Sequence, residues 1–339
     1  MAISSATNQV GRPSMTDLGA HQRSTRRPWI LGVPAAAWIG IALLTDLWPD
    51  QPGTDWDYTG HLAAAFGALG GVLVAVTFLH VWFGGLPRIQ GLAPWMFALA
   101  LLFGAWETVT AKLGLLPMPF FPPPQALLEV VVDDWARLAE GVLASLRLLA
   151  GGYFLGAVIG FATGLAIGWS RAVGYWIHPI LRLVGPLPAT AWLPLAFFVF
   201  PSSYSASTFL IALATGFPVT VLTWSGVASV GKAYYDIART LGANRSFLIL
   251  KVTIPAAMPH VFVGLFMGLG NSFAVLVVAE MLGVKAGLGW YLQWAQGWAA
   301  YANMYAALLI MALIFSGLIT LLFRLRDRLL AWQKGLVRW

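Results

Sequence analysis

Apolar segments long enough to cross a membrane recur along most of this chain. Most run to about 20 residues, the length of helix that crosses a bilayer core of about 30 Å, and short polar connections separate them. The pattern favours an all-α integral membrane protein. It predicts eight transmembrane helices, at residues 28–47, 61–83, 93–113, 138–169, 180–200, 206–226, 257–281 and 303–324.

Two of the predicted helices depart from a simple crossing. The segment 138–169 is longer than one crossing requires, so its first turns are expected to lie outside the bilayer or to tilt strongly. The segment 180–200 is interrupted by Pro186, Pro188 and Pro194. Because proline frees backbone groups of a helix, a broken helix inside a membrane needs protein neighbours to satisfy them.

Composition supports the membrane assignment and excludes several other classes of protein. Hydrophobic residues make up 59% of the 339 positions and charged residues 10%, whereas soluble domains carry about 25% charged residues. The net charge is +7, but the basic residues form short clusters between apolar segments, so no nucleic-acid partner is expected. The absence of cysteine excludes disulfides and thiolate chemistry. The five histidines are scattered, so no metal site is predicted.

The distribution of lysine and arginine predicts the orientation. If the N-terminus is cytoplasmic, all but four of the 20 basic residues fall in cytoplasmic segments. Such an excess of positive charge inside predicts that both termini face the cytoplasm. The four basic residues on the outside or at the edges of spans are Lys112, Arg137, Arg147 and Lys285.

The N-terminal region is interpreted as a tail followed by a retained span. Residues 1–27, rich in Ser, Thr, Gly and Arg, are predicted to form a disordered cytoplasmic tail. The apolar run from Trp29 to Leu44 is longer than the core of a secretory signal, and no small-residue cleavage site follows it. It is therefore predicted to remain in the protein as the first span.

Five glycines recur at every fourth position of the predicted fourth span. On a helix this spacing makes one bare ridge that another helix can approach closely. Tight helix packing is the favoured interpretation, and a substrate groove is the minor one. The glycines are Gly152, Gly156, Gly160, Gly164 and Gly168.

Residues 226–233 come close to a phosphate-binding loop. Gly226, Gly231 and Lys232 fit the pattern G-x-x-x-x-G-K, but Ala233 replaces the Ser or Thr that would hold magnesium. The residues before them end an apolar span rather than a strand of a soluble domain. Nucleotide binding at this segment is therefore not predicted.

The connection from about residue 228 to Pro259 contains a predicted amphipathic helix at residues 234–241. Ile237 and Leu241 lie four residues apart on one side of it, while Asp236 and Arg239 project elsewhere. Gly242 is a plausible C-cap, and Pro255 and Pro259 allow a sharp start to the next span. Such a helix lies at the membrane surface, either on lipid or in the groove of a partner.

Four polar residues lie within or near the predicted spans: Glu107, Arg147, Asn271 and Glu280. Ionisable groups in a membrane suggest function, but helix bundles also use polar residues to hold helices together. A structural hydrogen bond or ion pair is favoured for each over substrate contact. Arg147 could attract an anionic substrate or pair with Glu140 of the same helix. The candidates for the translocation pathway or its gate are Arg147, Pro186, Pro188, Asn271 and Glu280.

The segment from Asp236 to Pro259 resembles the EAA loop of ABC importer permeases. That loop has the pattern Glu-Ala-Ala, a glycine six residues after the glutamate, and later a hydrophobic-x-hydrophobic-Pro ending. In this chain Asp replaces the usual Glu and Ile replaces the first Ala. The matching positions are Asp236, Ile237, Ala238, Gly242, Val252, Ile254 and Pro255.

Further segments between residues 100 and 335 resemble the permeases of the nitrate, sulfonate, taurine and bicarbonate type. The resemblance implies a type I ABC importer permease core of about six spans at residues 91–330, with a cytoplasmic coupling loop at 228–255. Residues 28–90 then form two additional N-terminal helices, and 331–339 a cytoplasmic tail. The matching segments are Trp106-Glu107, Pro117–Pro124, Ala144–Arg147, Pro186-Leu187-Pro188, Pro194-Leu195, Ala279–Gly283 and Gly287–Gly289.

The same resemblance implies a function and a set of partners. The chain would be the permease subunit of an ATP-driven importer in the bacterial inner membrane, carrying a small solute such as nitrate, a sulfonate, taurine or bicarbonate. Its partners would be membrane lipid, a second permease copy, two cytoplasmic ABC ATPase subunits and a periplasmic or lipid-anchored binding protein. ATP and magnesium would be bound by the ATPase subunits, so this chain needs no cofactor and no catalytic residue. The ATPase would contact Tyr235, Asp236, Ile237, Ala238, Arg239, Thr240, Leu241, Gly242 and Ala243.

A secondary transporter driven by an ion gradient is the alternative. Such a protein would favour inverted repeats and a ring of acidic residues at the membrane midplane, and the sequence shows neither. An integral membrane enzyme would need a cluster of catalytic acids, histidines or metal ligands at one membrane face, and none is visible.

Overall fold

The computed structural model describes residues 32–52, 56–83 and 91–333, and the regular structure in these ranges is helical throughout. The chain forms two compact units that divide between Leu115 and Leu116. The predicted tail at residues 1–27 lies outside the described residues, and so does the predicted C-terminal tail from residue 334 onward.

The N-terminal unit is a bundle whose described residues form three helices. They are α1 (Gly32–Leu47), α2 (Thr59–Phe83) and α3 (Ala93–Glu107), which continues as a π-helical turn, Thr108–Lys112. In the bundle core the indole ring of Trp38 packs against Phe66 and Phe103, with ring centroids 5.3 and 6.0 Å apart. The indole N–H of Trp38 donates to the carbonyl oxygen of Met96 at 3.1 Å. These contacts join all three helices.

A buried ammonium group closes one end of this bundle. Lys112 Nζ lies 2.7 Å from Asp50 Oδ1 and 3.8 Å from Glu107 Oε1, and it donates to the carbonyl oxygens of Thr45, at 2.9 Å, and Trp48. The side chains of Lys112 and Glu107 are fully buried. Because a buried charge must be paired and hydrogen-bonded, the cluster holds the connection after α1 against the end of α3. Glu107 thus has the structural ion pair that the sequence favours.

The C-terminal unit contains the remaining helices, joined by short connections. A 3₁₀ turn, Ala189–Trp192, leads into the helix Leu193–Val199, and a π-helical turn, Leu248–Thr253, leads into the helix Ile254–Leu282. The helices are α4 (Pro124–Asp133), α5 (Trp135–Trp169), α6 (Arg171–Val184), α7 (Leu193–Val199), α8 (Ser203–Ala228), α9 (Lys232–Thr240), α10 (Arg245–Phe247), α11 (Ile254–Leu282), α12 (Leu288–Gly297) and α13 (Tyr301–Leu329).

Six helices among the described residues are long and apolar enough to cross a membrane, two in the N-terminal unit and four in the C-terminal unit. These correspond to the second, third, fourth, sixth, seventh and eighth predicted spans. Of the predicted first span, the described part is the helix α1, whose 16 residues are shorter than a full crossing. The predicted interruption of the span at 180–200 is present, because α6 and the segment Ala189–Val199 meet at a bend of 88°. The bend contains Pro186 and Pro188, which cannot donate backbone hydrogen bonds to continue the helix.

Helix α8 forms the centre of the C-terminal unit. The glycine ridge of α5 faces it: Gly152 packs on Ile211, Gly160 on Val219 and Gly168 on Val227. Along this contact the residue numbers of both helices increase in the same direction, so α5 and α8 run parallel. On another side Gly268 of α11 packs on Thr215, while Ala257 packs on Gly226, so α11 runs antiparallel to α8. The ends Trp169, Ala228 and Ile254 consequently share one side of the bundle, and α9 lies in the connection on that side.

Candidate functional site

Helix α9 presents an exposed apolar surface. It covers Lys232–Thr240, close to the predicted range, and the side chains of Tyr234, Ile237 and Leu241 are 67%, 61% and 83% exposed. Together with Ala243 and Phe247 they line a concavity of about 400 Å³. Large apolar side chains grouped at a concavity are a feature of binding surfaces. Asp236 and Arg239 pair with each other across one turn at 3.7 Å, and both are exposed.

The end of α9 is closed by a glycine in the left-handed conformation. Gly242 has a φ of +82°. Its N–H donates to the carbonyl oxygen of Arg239 at 2.9 Å, and the N–H of Ala243 donates to that of Ala238 at 3.0 Å. This pair of bonds is the Schellman motif, in which the C′ position favours glycine because a side chain there is strained. Gly242 therefore ends α9 as the sequence predicts, at the position directly after the C-cap residue Leu241.

Contacts on the inner side of α9 connect it to two long helices. The hydroxyl of Tyr235 lies 3.1 Å from Thr253 Oγ1, which itself donates to the carbonyl oxygen of Leu248 at 3.0 Å, so Tyr235 is the donor of the pair. The ring of Tyr235 also meets Trp169 edge-on, with centroids 6.1 Å apart. Trp169 ends α5, and Thr253 immediately precedes α11. A displacement of α9 would thus act on α5 and α11 together.

A second candidate feature is a cavity of about 290 Å³ at the bend between α6 and α7. Pro188 and Thr190 line it from the bend, and Asn271 lines it from the middle of α11. Parts of α8 around Phe217 and Pro218 complete the wall. The cavity thus brings together Pro188 and Asn271, two of the predicted pathway residues, while Pro186 lies in the same bend.

Arg147 lies away from that cavity. Its side chain is exposed on α5, and within the part of the chain that the structure describes it forms no ion pair with Glu140 or with any other residue. The pairing with Glu140 that the sequence left open is therefore not present. The contact of Arg147 with an anionic substrate stays a prediction.

Glu280 is buried where α5, α11 and α12 meet. Its Oε2 accepts from the hydroxyl of Ser145 at 2.9 Å and from the N–H of Gly289 at 2.8 Å. Ser145 Oγ in turn accepts from the N–H of Leu288 at 2.9 Å. Gly287 has a φ of +108°, and a Cβ at this position would overlap the Glu280 carboxylate. Glu280 and Ser145 therefore bind the free amides at the start of α12, which is the structural hydrogen bonding that the sequence favours for this residue.

Similarity to known proteins identifies the chain. Residues 152–334 match the family described as binding-protein-dependent transport system inner membrane component. This chain belongs to that family. The permease is similar to the nitrate import permease protein NrtB of Synechococcus elongatus, with 28% identity over 263 residues that cover 74% of this chain and 91% of that protein.

Two further relatives extend the comparison. A probable ABC transporter permease protein of Brucella abortus is 30% identical over 249 residues, covering 73% of the permease and 98% of the relative. The bicarbonate transport system permease protein CmpB of Synechococcus elongatus is 33% identical over 202 residues, covering 58% and 67%. The predicted resemblance to ABC importer permeases is confirmed. The chain is a membrane-spanning transport subunit rather than an enzyme in itself, and the alternative of an ion-gradient-driven transporter is not favoured.

Residues 226–233, whose sequence nearly matches a phosphate-binding loop, do not have the backbone conformation of such a loop. Gly226 lies inside α8, where it packs against Ala257 and His260 of α11. Gly231 precedes α9 with a φ of −61°. A phosphate-binding loop instead wraps its backbone amides around the phosphate between a strand and a helix. The glycines of this segment therefore serve helix packing and the start of α9.

Sequence reasoning missed two hydroxyl groups that organise these sites. Ser145 belongs to the segment Ala144–Arg147 that resembles the family, so its position was available, but nothing in its neighbours pointed to Glu280, 135 positions away. Thr253 is fully buried in an apolar run, and its contact with Tyr235 depends on the return of the chain after α9. A single hydroxyl in a span carries no periodic signal, so only the packed helices show these partners.

Replacing Glu280 with alanine is expected to lower the stability of the permease by about 1–3 kcal/mol, because the N–H of Gly289 and the hydroxyl of Ser145 lose their buried acceptor. Glu280→Gln keeps an acceptor oxygen and should have a smaller effect. The thermal unfolding midpoints of the purified proteins measure the difference. Equal midpoints for Glu280→Ala and the unmodified permease would contradict this role.

Proposed function

We propose that α9 is the surface through which two cytoplasmic ABC ATPase subunits drive this permease. Its exposed apolar residues suit a groove of a partner protein, since an amphipathic helix binds by laying its apolar face into such a groove. The observation that carries the proposal is the connection of α9, through Tyr235, to Trp169 and Thr253. ATP and magnesium belong to the ATPase subunits, and the permease contributes the moving surface alone.

The contacts of α9 suggest how the force is used. When the ATPase subunits close, α9 shifts and carries the end of α5 and the start of α11 with it. Both helices pack against α8, and α11 carries Asn271 at the cavity beside the α6–α7 bend. The cavity would then open alternately to the two sides of the membrane. ATP acts through its different affinity for the two states, as in any coupled equilibrium.

The transported solute is proposed to be a small oxyanion or small organic anion. Relatives of the permease carry the names of nitrate and bicarbonate transporters, and both solutes are small planar oxyanions. The amide of Asn271 and the hydroxyl of Thr190 offer hydrogen-bond donors in the cavity, and its lining residues carry no formal charge. A pathway must bind its solute weakly enough to release it, which an uncharged lining favours.

The family to which the permease belongs supports a proposal for the assembly. A second copy of the permease completes the pathway, and an external binding protein, periplasmic or lipid-anchored, delivers the solute across the face opposite α9. Both termini and α9 face the cytoplasm of a bacterium, in agreement with the excess of basic residues in the connections on that side. The complex lies in the inner membrane.

Gly242→Val tests the coupling surface. A β-branched residue in the left-handed conformation costs about 1–2 kcal/mol, so the end of α9 is expected to lose its cap and shift. ATP-dependent uptake into vesicles that contain the whole transporter should fall by roughly 5–30-fold, the factor that corresponds to this energy. No atom lies within 4 Å of a Cβ at Gly242, so a steric clash would not explain the loss.

Two matched variants accompany this test. Gly231→Ser, at the other end of α9, introduces a residue that favours the N-cap, and its uptake should be unchanged. Gly242→Asn should restore most of the uptake, because asparagine tolerates the left-handed conformation. Full uptake by Gly242→Val, or a purified permease that retains no ATPase subunit, would argue against the proposed role of α9.

A further inference from the structure

A recess lies between the first turns of α5 and helix α12, at the opposite end of α5 from α9. Its volume is about 370 Å³. It combines two basic side chains, one acidic side chain and three aromatic rings. The lining side chains are Arg137, Glu140, Lys285, Trp290, Tyr291 and Trp294.

The length of α5 indicates that the recess lies in water. This helix has 35 residues, so it is about 52 Å long, whereas the bilayer core measures about 30 Å. Its charge-free part runs from Leu148 to Trp169 and is long enough for one crossing. Arg137, Glu140 and Arg147 all precede that part. The first turns of α5, and the recess with them, therefore project beyond the hydrocarbon.

Hydrogen bonds fix the walls of the recess. Asp134 Oδ2 accepts from the hydroxyl of Tyr291 at 2.8 Å and from the side-chain amide of Asn303 at 3.1 Å. Burial raises the pKa of Tyr291 to about 12, so this hydroxyl keeps its proton. The guanidinium of Arg137 lies 5.6 Å from the centre of the Trp294 ring and 3.7 Å from Asp134. Rigid walls reduce the entropy lost when a partner binds.

The composition of the recess favours a protein as its occupant. Tryptophan, tyrosine and arginine are the residues that contribute most to binding at protein interfaces. Lys285 is exposed and forms no ion pair within the described ranges 32–52, 56–83 and 91–333, so its charge is available.

We propose that this recess is the docking surface for an acidic segment of the external binding protein, whose carboxylate contacts Lys285 between the aromatic walls. The family to which the permease belongs depends on such a protein. The orientation that turns the recess outward rests on the proposed function. The charge of Lys285 then attracts the acidic segment, while the charge of Glu140, which lines the same recess, repels it.

The first experiment identifies the occupant in intact cells. A photo-crosslinking amino acid replaces Trp290 in the complete transporter, and the control replaces Trp176, an exposed tryptophan of α6 near the other end of the bundle. We expect position 290 to crosslink to a secreted solute-binding protein through a peptide that contains Asp or Glu. Crosslinks from position 290 to lipid alone, or to a second copy of the permease alone, would overturn the proposal.

The second experiment measures the affinity of that binding protein for the transporter in nanodiscs, with its ATPase subunits present. Lys285→Glu should weaken binding on the order of tenfold and Lys285→Arg should preserve it. Glu140→Gln should tighten binding, an effect of opposite sign that a merely structural defect would not produce, and weaker binding would contradict the proposed charge pattern. Replacing the crosslinked acidic residue of the binding protein with lysine should restore affinity for Lys285→Glu.

The two proposals fail in different ways. Unchanged affinity in Lys285→Glu, with ATPase subunits bound and basal ATP hydrolysis intact, would overturn the docking surface alone. Absence of ATPase subunits from the unmodified transporter would overturn the proposed coupling function instead.

Discussion

Lys112→Met is expected to lower the stability of the N-terminal unit by about 3–5 kcal/mol, the effect of leaving buried acids without their cation. Methionine fills most of the space but cannot donate to Asp50 or to the carbonyl oxygen of Thr45. The connection after α1 would then lose its attachment to α3. Thermal unfolding of the purified full chain, followed by limited proteolysis near residue 50, measures the loss.

Two further variants test whether charge is the cause. Asp57→Asn removes an exposed carboxylate in the connection after α1 and should leave the unfolding midpoint unchanged. Combining Lys112→Met with Asp50→Asn and Glu107→Gln should recover much of the stability, because a buried ion pair replaced as a whole is often nearly neutral. A Lys112→Met protein as stable as the original would contradict the assigned role of this cluster.

Gly156→Leu is expected to destabilise the C-terminal unit by about 3 kcal/mol or more, at the upper end of the effects of overpacking. A Cβ at this position would lie 2.8 Å from the Cβ of Thr215 and against the carbonyl oxygen of Ala212. Backbone cannot move aside as a flexible side chain can, so α5 and α8 would have to separate. The unfolding midpoint and the yield of monodisperse detergent-solubilised permease report this separation.

The control for this substitution lies on the same helix. Gly151→Leu adds the same side chain to α5, but no atom lies within 4 Å of a Cβ there. Its unfolding midpoint should stay close to that of the unmodified permease. Equal losses for Gly151→Leu and Gly156→Leu would mean that helix propensity or insertion, rather than the contact with α8, determines the effect.

Local patterns predicted much of the helical framework. Apolar length located the six helices that can cross a membrane, because the requirement to bury about 20 residues of backbone in lipid leaves a strong signal. Spacing of four located the ridge of α5, and the pattern from Tyr234 to Gly242 located α9 with its glycine cap. Each of these signals lies within a single helix or turn.

The bend at Pro186 and Pro188 is a feature that local sequence patterns predicted only in part. Three prolines indicated an interrupted helix, but they predicted neither the 88° angle of the bend nor the cavity beside it. Likewise, only part of the candidate site could be predicted from the sequence. The surface of α9 was predictable from its sequence, whereas the cavity that joins Pro188 to Asn271 required two segments about 80 positions apart to meet.

The sequence by itself determined that the chain crosses a membrane, through its hydropathy, and its resemblance to the EAA loop indicated an ABC importer permease, because both signals are local properties. The tertiary structure alone decided the partners of its buried polar groups: Lys112 with Asp50 and Glu280 with Ser145 and the start of α12. A buried charge or carboxylate must find a partner, but its own sequence neighbourhood does not say which. That choice is made when distant helices pack together.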